Sequence, residues 1–154
     1  MAGGLTAGGL FELLRPDQIN KISEASERVK YHAGDIVYKR GEPAEHFFIL
    51  LSGQVALRLP GKAGVSVMIS ELIKGAMFGS PLSLTRDSYA LTAQCTDDAE
   101  LLKIKSAVLK DLMDKDLVMG YATQSRISAI YFERYIDTMS KLQAVVMNIP
   151  IESD

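Results

Sequence analysis

The sequence predicts a mainly β domain, an antiparallel sandwich or barrel, with short helices before the strands and one long helix after them. Two observations predict this class. Between about residues 28 and 104, short apolar segments alternate with turn residues, as they do in all-β domains. On both sides of that region, apolar residues recur at the helical spacing of three and four. The length of 154 residues, 47% of them hydrophobic, suits one core of this kind.

A small-residue leader and two helical segments precede the strands. Residues 1–9 (MAGGLTAGG) are rich in glycine, and we expect them to be a flexible leader. Residues 10–14 and 16–23 carry apolar residues at helical spacing, and Pro16 suits the first turn of a helix. They predict two short helices with a common apolar side. That side comprises Leu13, Leu14, Ile19 and Ile22.

The strand region contains one continuous apolar segment and several alternating ones. Residues 46–51 (HFFILL) are too short to cross a membrane and are typical of a strand buried on both faces. Residues 60–64 (PGKAG) predict a hairpin loop between two strands with alternating side chains. The shared faces of these two strands are Val55, Leu57 and Leu59, and Val65, Val67 and Ile69. Residues 99–104 (AELLKI) predict the last strand.

Two helices are predicted after the last strand. Val108, Leu109, Leu112 and Met113 mark a short one, and residues 117–147 form a long one. The long helix carries an apolar stripe, namely Ile127, Ile130, Tyr131, Tyr135, Met139, Leu142, Val145 and Val146. The stripe can pack entirely on its own domain, or partly on the domain and partly on a second copy. An uncovered helix of this length leaves a large apolar face in water, so we favour a homodimer.

Composition excludes several classes of function. A net charge of −2 with interspersed signs offers no basic patch for nucleic acid. No signal peptide and no apolar run near 18 residues is present, so we expect a cytoplasmic protein without a membrane partner. Only a short acidic tail, residues 148–154, follows the long helix. With its start at Met1, the chain is expected to be a complete, solitary module without a DNA-reading helix.

Residues of catalytic or metal-binding type are sparse. His32 and His46 lie 14 residues apart with no third histidine, which argues against the metal site of a cupin. The single cysteine, Cys95, falls on a predicted buried strand, where it acts as a small apolar residue. No nucleophile elbow, Walker loop or paired carboxylates are found. We expect no enzymatic activity and no resident metal.

The segment from Gly34 to Leu57 (GDIVYKRGEPAEHFFILLSGQVAL) resembles the first half of the cyclic-nucleotide-binding domain. Catabolite-activator-type regulators, protein-kinase-A regulatory subunits and gated channels share that domain. The similarity extends over roughly residues 10–145 and includes residues 98–104 (DAELLKI). It implies an eight-stranded jelly-roll sandwich, a double-stranded β-helix, over residues 10–116 with its short helices. It also implies a phosphate-binding cassette inside the roll, and a helix over residues 117–147 that covers the pocket and often dimerises.

The cassette of this family commonly has the pattern Phe-Gly-Glu-x-Ala-Leu-Leu, four variable residues, then Arg-(Ala/Ser)-Ala-Thr-Val. Aligned without a gap, residues 78–93 (FGSPLSLTRDSYALTA) place Ser80 at the glutamate and Tyr89 at the arginine. The resemblance implies that these two positions contact the ribose hydroxyl and the cyclic phosphate. The other candidate ligand-binding positions of the cassette are Phe78, Gly79, Pro81, Leu82, Arg86, Ala90 and Thr92.

The two replacements predict poor binding of cyclic AMP and cyclic GMP. Each charge-assisted hydrogen bond contributes about 1.5–3 kcal/mol, and burying a phosphodiester without a cation is costly. At about 1.4 kcal/mol per decade, the loss amounts to a few decades of affinity. Pro81 also has no N–H to offer an anion. Arg86 could turn inward as a substitute cation, but an exposed arginine on a loop is the favoured interpretation.

Three hypotheses remain open. The favoured one is a regulatory domain that senses a cyclic nucleotide or another small molecule and signals through its C-terminal helix. Ser80 and Tyr89 would suit a neutral or aromatic ligand. The second is a ligand-free interaction or dimerisation module, with Tyr89 filling the roll and a protein as partner. The third, a cupin-like metal enzyme, has the least support.

Overall fold

Eight antiparallel strands form two four-stranded sheets within residues 9–81 and 87–148, which the computed structural model describes. The strands are β1 (Ser26–Tyr31), β2 (Ile36–Tyr38), β3 (His46–Ser52), β4 (Val55–Pro60), β5 (Ser66–Leu72), β6 (Met77–Gly79), β7 (Thr92–Cys95) and β8 (Ala99–Lys105). Their orders are β1-β8-β3-β6 and β2-β7-β4-β5. Because β1 pairs with β8, β2 with β7, β3 with β6 and β4 with β5, the topology is a jelly roll. The predicted fold class is confirmed.

β3 is buried on both faces, as its apolar run predicts. Phe47 and Ile49 join the core under the helices, whereas Phe48 and Leu50 join the core inside the roll. Side chains of successive strand residues point to opposite faces, so one central strand supplies both cores. Cys95, from β7, is also buried inside the roll, and burial raises the pKa of its thiol to about 11.

Helices cover the outer face of the first sheet. They are a 3₁₀ helix (Leu10–Leu13), α1 (Pro16–Glu24), α2 (Ser106–Lys115) and α3 (Leu117–Met147). Leu14 and Ile22 are buried in this layer and Ile19 packs against it. Leu13 is exposed, contrary to the prediction. The backbone is extended at Leu14, so the 3₁₀ helix and α1 do not share one continuous face.

The end of the β4–β5 hairpin lies outside the core. Val55 and Leu57 are buried as predicted, but Leu59, Val65 and Val67 are 37%, 64% and 56% exposed. A register shift between Leu57 and Arg58 breaks the simple alternation on which that part of the prediction rests. The predicted hairpin loop is present between Pro60 and Ser66.

No helix among the described residues is both long and apolar enough to cross a membrane. Of the predicted leader, only Gly9 lies in the described range, and of the acidic tail only Asn148. The cassette residues Leu82 and Arg86 also lie outside it.

Candidate functional site

The cassette begins on β6, at the edge of the first sheet, and Gly79 fixes its geometry. Phe78 is completely buried inside the roll. Gly79 has a φ of 95°, and a Cβ there would lie 3.0 Å from the His46 carbonyl oxygen and 3.1 Å from the Phe47 Cα. Both the conformation and the space therefore favour glycine. The turn brings the chain close against β3.

The first residues of the cassette are hydrogen-bonded to neighbouring parts of the protein. The Ser80 N–H donates to the His46 carbonyl at 3.1 Å. The Ser80 carbonyl accepts a hydrogen bond from the Ser106 hydroxyl, at the start of α2. Pro81 is buried and has no N–H. This segment is therefore bonded to the protein itself, and an anion would have to compete for its donors.

Tyr89, at the position of the family's arginine, is buried inside the roll with only 6% of its surface exposed. Its ring stacks on Tyr38 with the centroids 3.8 Å apart and the planes 14° from parallel. Its hydroxyl donates to the His46 carbonyl at 3.1 Å and accepts from the His46 N–H at 3.3 Å. Burial raises the pKa of Tyr89 above its ordinary value, so the phenol is neutral at physiological pH.

The stack of Tyr89 and Tyr38 continues into the roll. Tyr38 also packs on Phe48 with the ring centroids 5.7 Å apart, and Phe48 packs on Phe78 at 5.3 Å. Stacked and tilted rings of this kind attract one another beyond their burial. Four aromatic side chains therefore form one continuous cluster, which occupies part of the roll's interior.

The last two cassette positions have different surroundings. Ala90 is exposed. The Thr92 hydroxyl accepts a hydrogen bond from the Arg40 N–H at 3.0 Å. The next residue, Ala93, is the one that belongs to the core of the roll. Because strand side chains alternate, Thr92 faces away from that core.

The helix α3 lies along the free edge of β6. Only β3 pairs with β6 in the sheet, which leaves outward-facing carbonyl groups on the other side of the strand. The Tyr131 hydroxyl donates to the Gly79 carbonyl at 3.1 Å, and the Arg134 guanidinium donates to the Met77 carbonyl. These two side chains, three residues apart on one helix face, therefore link α3 directly to the first residues of the cassette.

Arg134 is the functional candidate that the sequence analysis missed. Its Nη1 is buried and has no hydrogen-bond partner in the described part of the chain. The guanidinium carbon lies 5.4 Å from the centroid of the Tyr131 ring, within range of a cation–π interaction. Burial lowers the pKa of Arg134 below its ordinary value. The sequence does contain one sign of this role. Arg134 is a cation inside the apolar stripe of α3, three residues after Tyr131 and next to Tyr135.

The stripe on α3 divides near Tyr131. Ile127 is buried and Ile130 packs against the core, so the first part lies on the domain. Tyr135, Met139 and Leu142 are 57%, 44% and 52% exposed. The remaining exposed apolar residues of this half are Phe132, Ile136, Val145, Val146 and Met147. Within the chain as described, the second half of α3 is an uncovered apolar surface.

The histidines do not form a metal centre. His46 contributes its backbone to the Tyr89 contact, and burial lowers the pKa of its imidazole. His32 is exposed and lies near Asp98. Among the described residues, no three His, Cys, Asp or Glu side chains are grouped so that they could hold a metal ion.

Comparison with known proteins relates this geometry to a family. A model of the cyclic nucleotide-binding domain matches residues 28–116, which include the cassette and end just before α3. The cAMP-dependent protein kinase regulatory subunit of Dictyostelium discoideum is 23% identical over 86% of this chain and 41% of that protein. The same subunit of Mycosarcoma maydis is 35% identical over 60% of this chain and 18% of that protein. The chain therefore spans less than half the length of these relatives.

Among solved structures, the sensor domain of the transcriptional regulator DNR from Pseudomonas aeruginosa is similar along almost the whole chain. The TM-score is 0.74, and the match covers 99% of this chain and 95% of that chain. The sequence identity is 21%, so this similarity is one of fold.

Proposed function

The chain belongs to the cyclic nucleotide-binding domain family, and we propose that it is a regulatory domain whose roll does not bind cyclic AMP or cyclic GMP in the ordinary way. Its output is the helix α3. The observation that carries this proposal is the position of Tyr89, which stands in place of the cassette arginine and is buried against Tyr38. A neutral phenol in that place supplies no positive charge for a phosphate.

A nucleotide would also have to displace Tyr89. Truncating a buried aromatic side chain costs about 3–5 kcal/mol, which indicates what the packing of such a ring contributes. Moving the ring out of the roll would break the stack on Tyr38 and both hydrogen bonds to the His46 backbone. This cost adds to the missing charge-assisted hydrogen bonds, and both lower the affinity for a cyclic nucleotide.

The contacts between α3 and β6 support α3 as the output element. Tyr131 and Arg134 hold the helix on the carbonyl groups of Gly79 and Met77. A change in the conformation of the cassette would alter these acceptors, and so the position of the helix. We infer that the exposed half of α3 carries the response to a second copy of this chain, as a homodimer, because its apolar surface is uncovered.

Isothermal titration with cyclic AMP and cyclic GMP tests the proposal. The protein is first shown by mass spectrometry to carry no bound ligand. We expect no saturable binding below about 1 mM. Saturable binding with a micromolar Kd would overturn the proposal.

A paired variant tests whether the two cassette positions explain that result. Ser80→Glu combined with Tyr89→Arg restores both family side chains, and it should bind cyclic AMP more tightly than the wild type does. Ser80→Glu combined with Tyr121→Arg is the matched control, since it adds the same charges but places the arginine on an exposed position near the start of α3. Circular dichroism checks that both variants are folded. Equal affinities of the two variants would count against the assigned role of Tyr89.

A ligand-free interaction module is the second candidate, and the aromatic cluster inside the roll favours it as well. In that case α3 and its partner surface do the work and the roll is a scaffold. A stable dimer whose thermal unfolding does not respond to small molecules would support this candidate. A ligand that binds the folded state raises the free energy of unfolding by RT ln(1 + [L]/Kd) and so raises the unfolding temperature, and such a shift would favour the sensing domain.

A further inference from the structure

Arg134 is a cation whose hydrogen bonds are incomplete. One terminal nitrogen of the guanidinium, Nη2, donates to the Met77 carbonyl. The other, Nη1, is buried and has no acceptor among the described residues. No ion pair joins Arg134 to a carboxylate in the described part of the chain; the nearby carboxylate of Asp137, on the same helix, is paired with Lys141 instead.

The surroundings of Arg134 favour an oxyanion as the missing partner. Burial lowers the pKa of the guanidinium, while the neighbouring Tyr131 and Tyr38 act in the opposite direction. A guanidinium carries five donors in a planar fork that matches phosphate and carboxylate groups. A charged hydrogen bond is strong where water is excluded, because nothing else satisfies the buried donor.

We propose that Arg134 binds the oxyanion group, a phosphate or a carboxylate, of a small-molecule ligand at the junction of α3 and β6. The inference rests on the proposed function and deepens it, because it names the chemical class of the ligand. It also assigns the binding of the ligand's negative charge to a residue of α3 instead of a residue of the cassette. Tyr89 leaves the cassette without a cation at its arginine position, and Arg134 supplies one from the opposite side of β6.

Such binding would be coupled to the position of α3. Nη1 is closed off from solvent, so an anion can reach it only after the helix or its side chains shift. The same guanidinium holds α3 to Met77, and Tyr131 beneath it holds α3 to Gly79. An oxyanion on Arg134 therefore acts on the two contacts that attach the output helix to the cassette.

Side-chain NMR of ¹⁵N-arginine in the full chain tests the proposal with inorganic phosphate and with acetate as probes. Chloride at equal ionic strength is the reference. We expect the Arg134 resonances to shift saturably in the millimolar range, and the preferred probe identifies the oxyanion as phosphate or carboxylate. The variants lack the Arg134 resonances, so their binding is followed by the backbone amide shifts of Met77 and Gly79. Arg134→Gln should weaken binding by about tenfold or more, whereas Arg134→Lys should retain part of it. Arg126→Gln, an exposed arginine on the same helix, is the matched control.

The titration of the wild-type protein tests the proposal even if a variant fails to fold. No saturable shift of Arg134 with either probe overturns the proposal, and so does a response of the Met77 and Gly79 amides that Arg134→Gln leaves unchanged. A purely structural link to Met77 predicts the same spectra in phosphate and in chloride. These outcomes are separate from the nucleotide titration. The absence of any response to phosphate and acetate leaves the proposed function standing, whereas micromolar binding of cyclic AMP overturns the proposed function itself.

Discussion

At the scale of single residues, Tyr89 links the two sheets inside the roll. Its ring lies on Tyr38, and its hydroxyl is both donor and acceptor for the backbone of His46, the first residue of β3. Its packing on Tyr38 and its hydrogen bonds to His46 therefore connect β2, in the second sheet, with the start of β3, in the first sheet. A residue that only occupied an empty ligand pocket would not need these contacts, and its removal would cost little.

Substitutions at Tyr89 separate the contribution of its hydrogen bonds to stability from that of its buried ring. Tyr89→Phe removes the two hydrogen bonds and should lower the free energy of unfolding by about 1 kcal/mol. Tyr89→Ala also removes the buried ring and should lower it by about 3–5 kcal/mol. Urea unfolding measures both values. Tyr121→Ala is the control, because that tyrosine is on α3 and is 78% exposed. Equal losses for Tyr89→Ala and Tyr121→Ala would contradict the structural role of Tyr89.

Gly79 offers a second test, because the structure contains a matched glycine. Gly79 and Gly41 have φ values of 95° and 90°. A Cβ on Gly79 would meet other atoms within 4 Å, whereas a Cβ on Gly41 would meet none. Alanine at either position carries backbone strain of about 1–2 kcal/mol. Gly79→Ala additionally pushes against the backbone of β3 and should cost about 1–3 kcal/mol more than Gly41→Ala in urea unfolding. Equal costs would show that the cassette turn is not held tightly against β3.

At the scale of elements, Asp116 joins the start of α3 to the N-terminal helices. Its carboxylate accepts the Met119 N–H at 3.1 Å and so caps α3. It also accepts hydrogen bonds from Arg15 at 2.8 Å and from Gln18 at 3.1 Å, both at the start of α1. The Met119 N–H is the main reason why the pKa of Asp116 lies below its ordinary value, followed by the Gln18 side chain and Arg15. One carboxylate thus fixes where α3 begins.

Removing this carboxylate should loosen α3 at its base. Asp116→Ala loses the cap and both links to α1, so we expect a melting temperature lower by a few degrees. A lowered pKa in the folded state means that the stabilisation is present above the ordinary carboxyl pKa and is lost as the pH falls through the folded value. The difference between wild type and Asp116→Ala should therefore shrink in acid.

Thermal melts between neutral and acidic pH measure this difference. Asp137→Ala is the control, because Asp137 lies in the middle of α3 and forms only an exposed pair with Lys141. A drop that persists unchanged at low pH, or one no larger than that of the control, would rule out the cap as its cause.

At the scale of the whole molecule, the spacing of apolar residues predicted the fold, because each helix and strand has its own hydrophobic period. The β3 run and the α3 stripe both lie where the sequence predicts them. The cassette replacements at Ser80 and Tyr89 were also visible in the sequence. Arg134 was not, because its role depends on β6 being an edge strand, and strand order is set by pairings between distant segments. The exposed hairpin end was missed for a similar reason, since a register shift decides which side chains face the core.

An uncovered apolar surface lies on the second half of α3, and it predicts the oligomeric state. Phe132, Tyr135, Ile136, Met139 and Leu142 are each more than a third exposed. Monomeric proteins seldom expose contiguous apolar surface on this scale, whereas a second copy of the same helix can bury it in a symmetric pair. The stripe repeats at three and four residues, which is the spacing that lets two helices pack side by side.

Light scattering coupled to size exclusion should therefore find a dimer, and Met139→Glu should convert it to a monomer. The charge would fall in the centre of the paired apolar surface, where burying an unpaired carboxylate is costly. Ala144→Glu is the matched control, since it adds the same charge to the same helix at an exposed position five residues after Met139, on the other side of the helix. A monomeric wild type, or a Met139→Glu variant that is still dimeric, would contradict pairing through α3. If only Met139→Glu dissociates, the two output helices meet at this face, and a shift at Tyr131 and Arg134 in one copy has a direct route to the other.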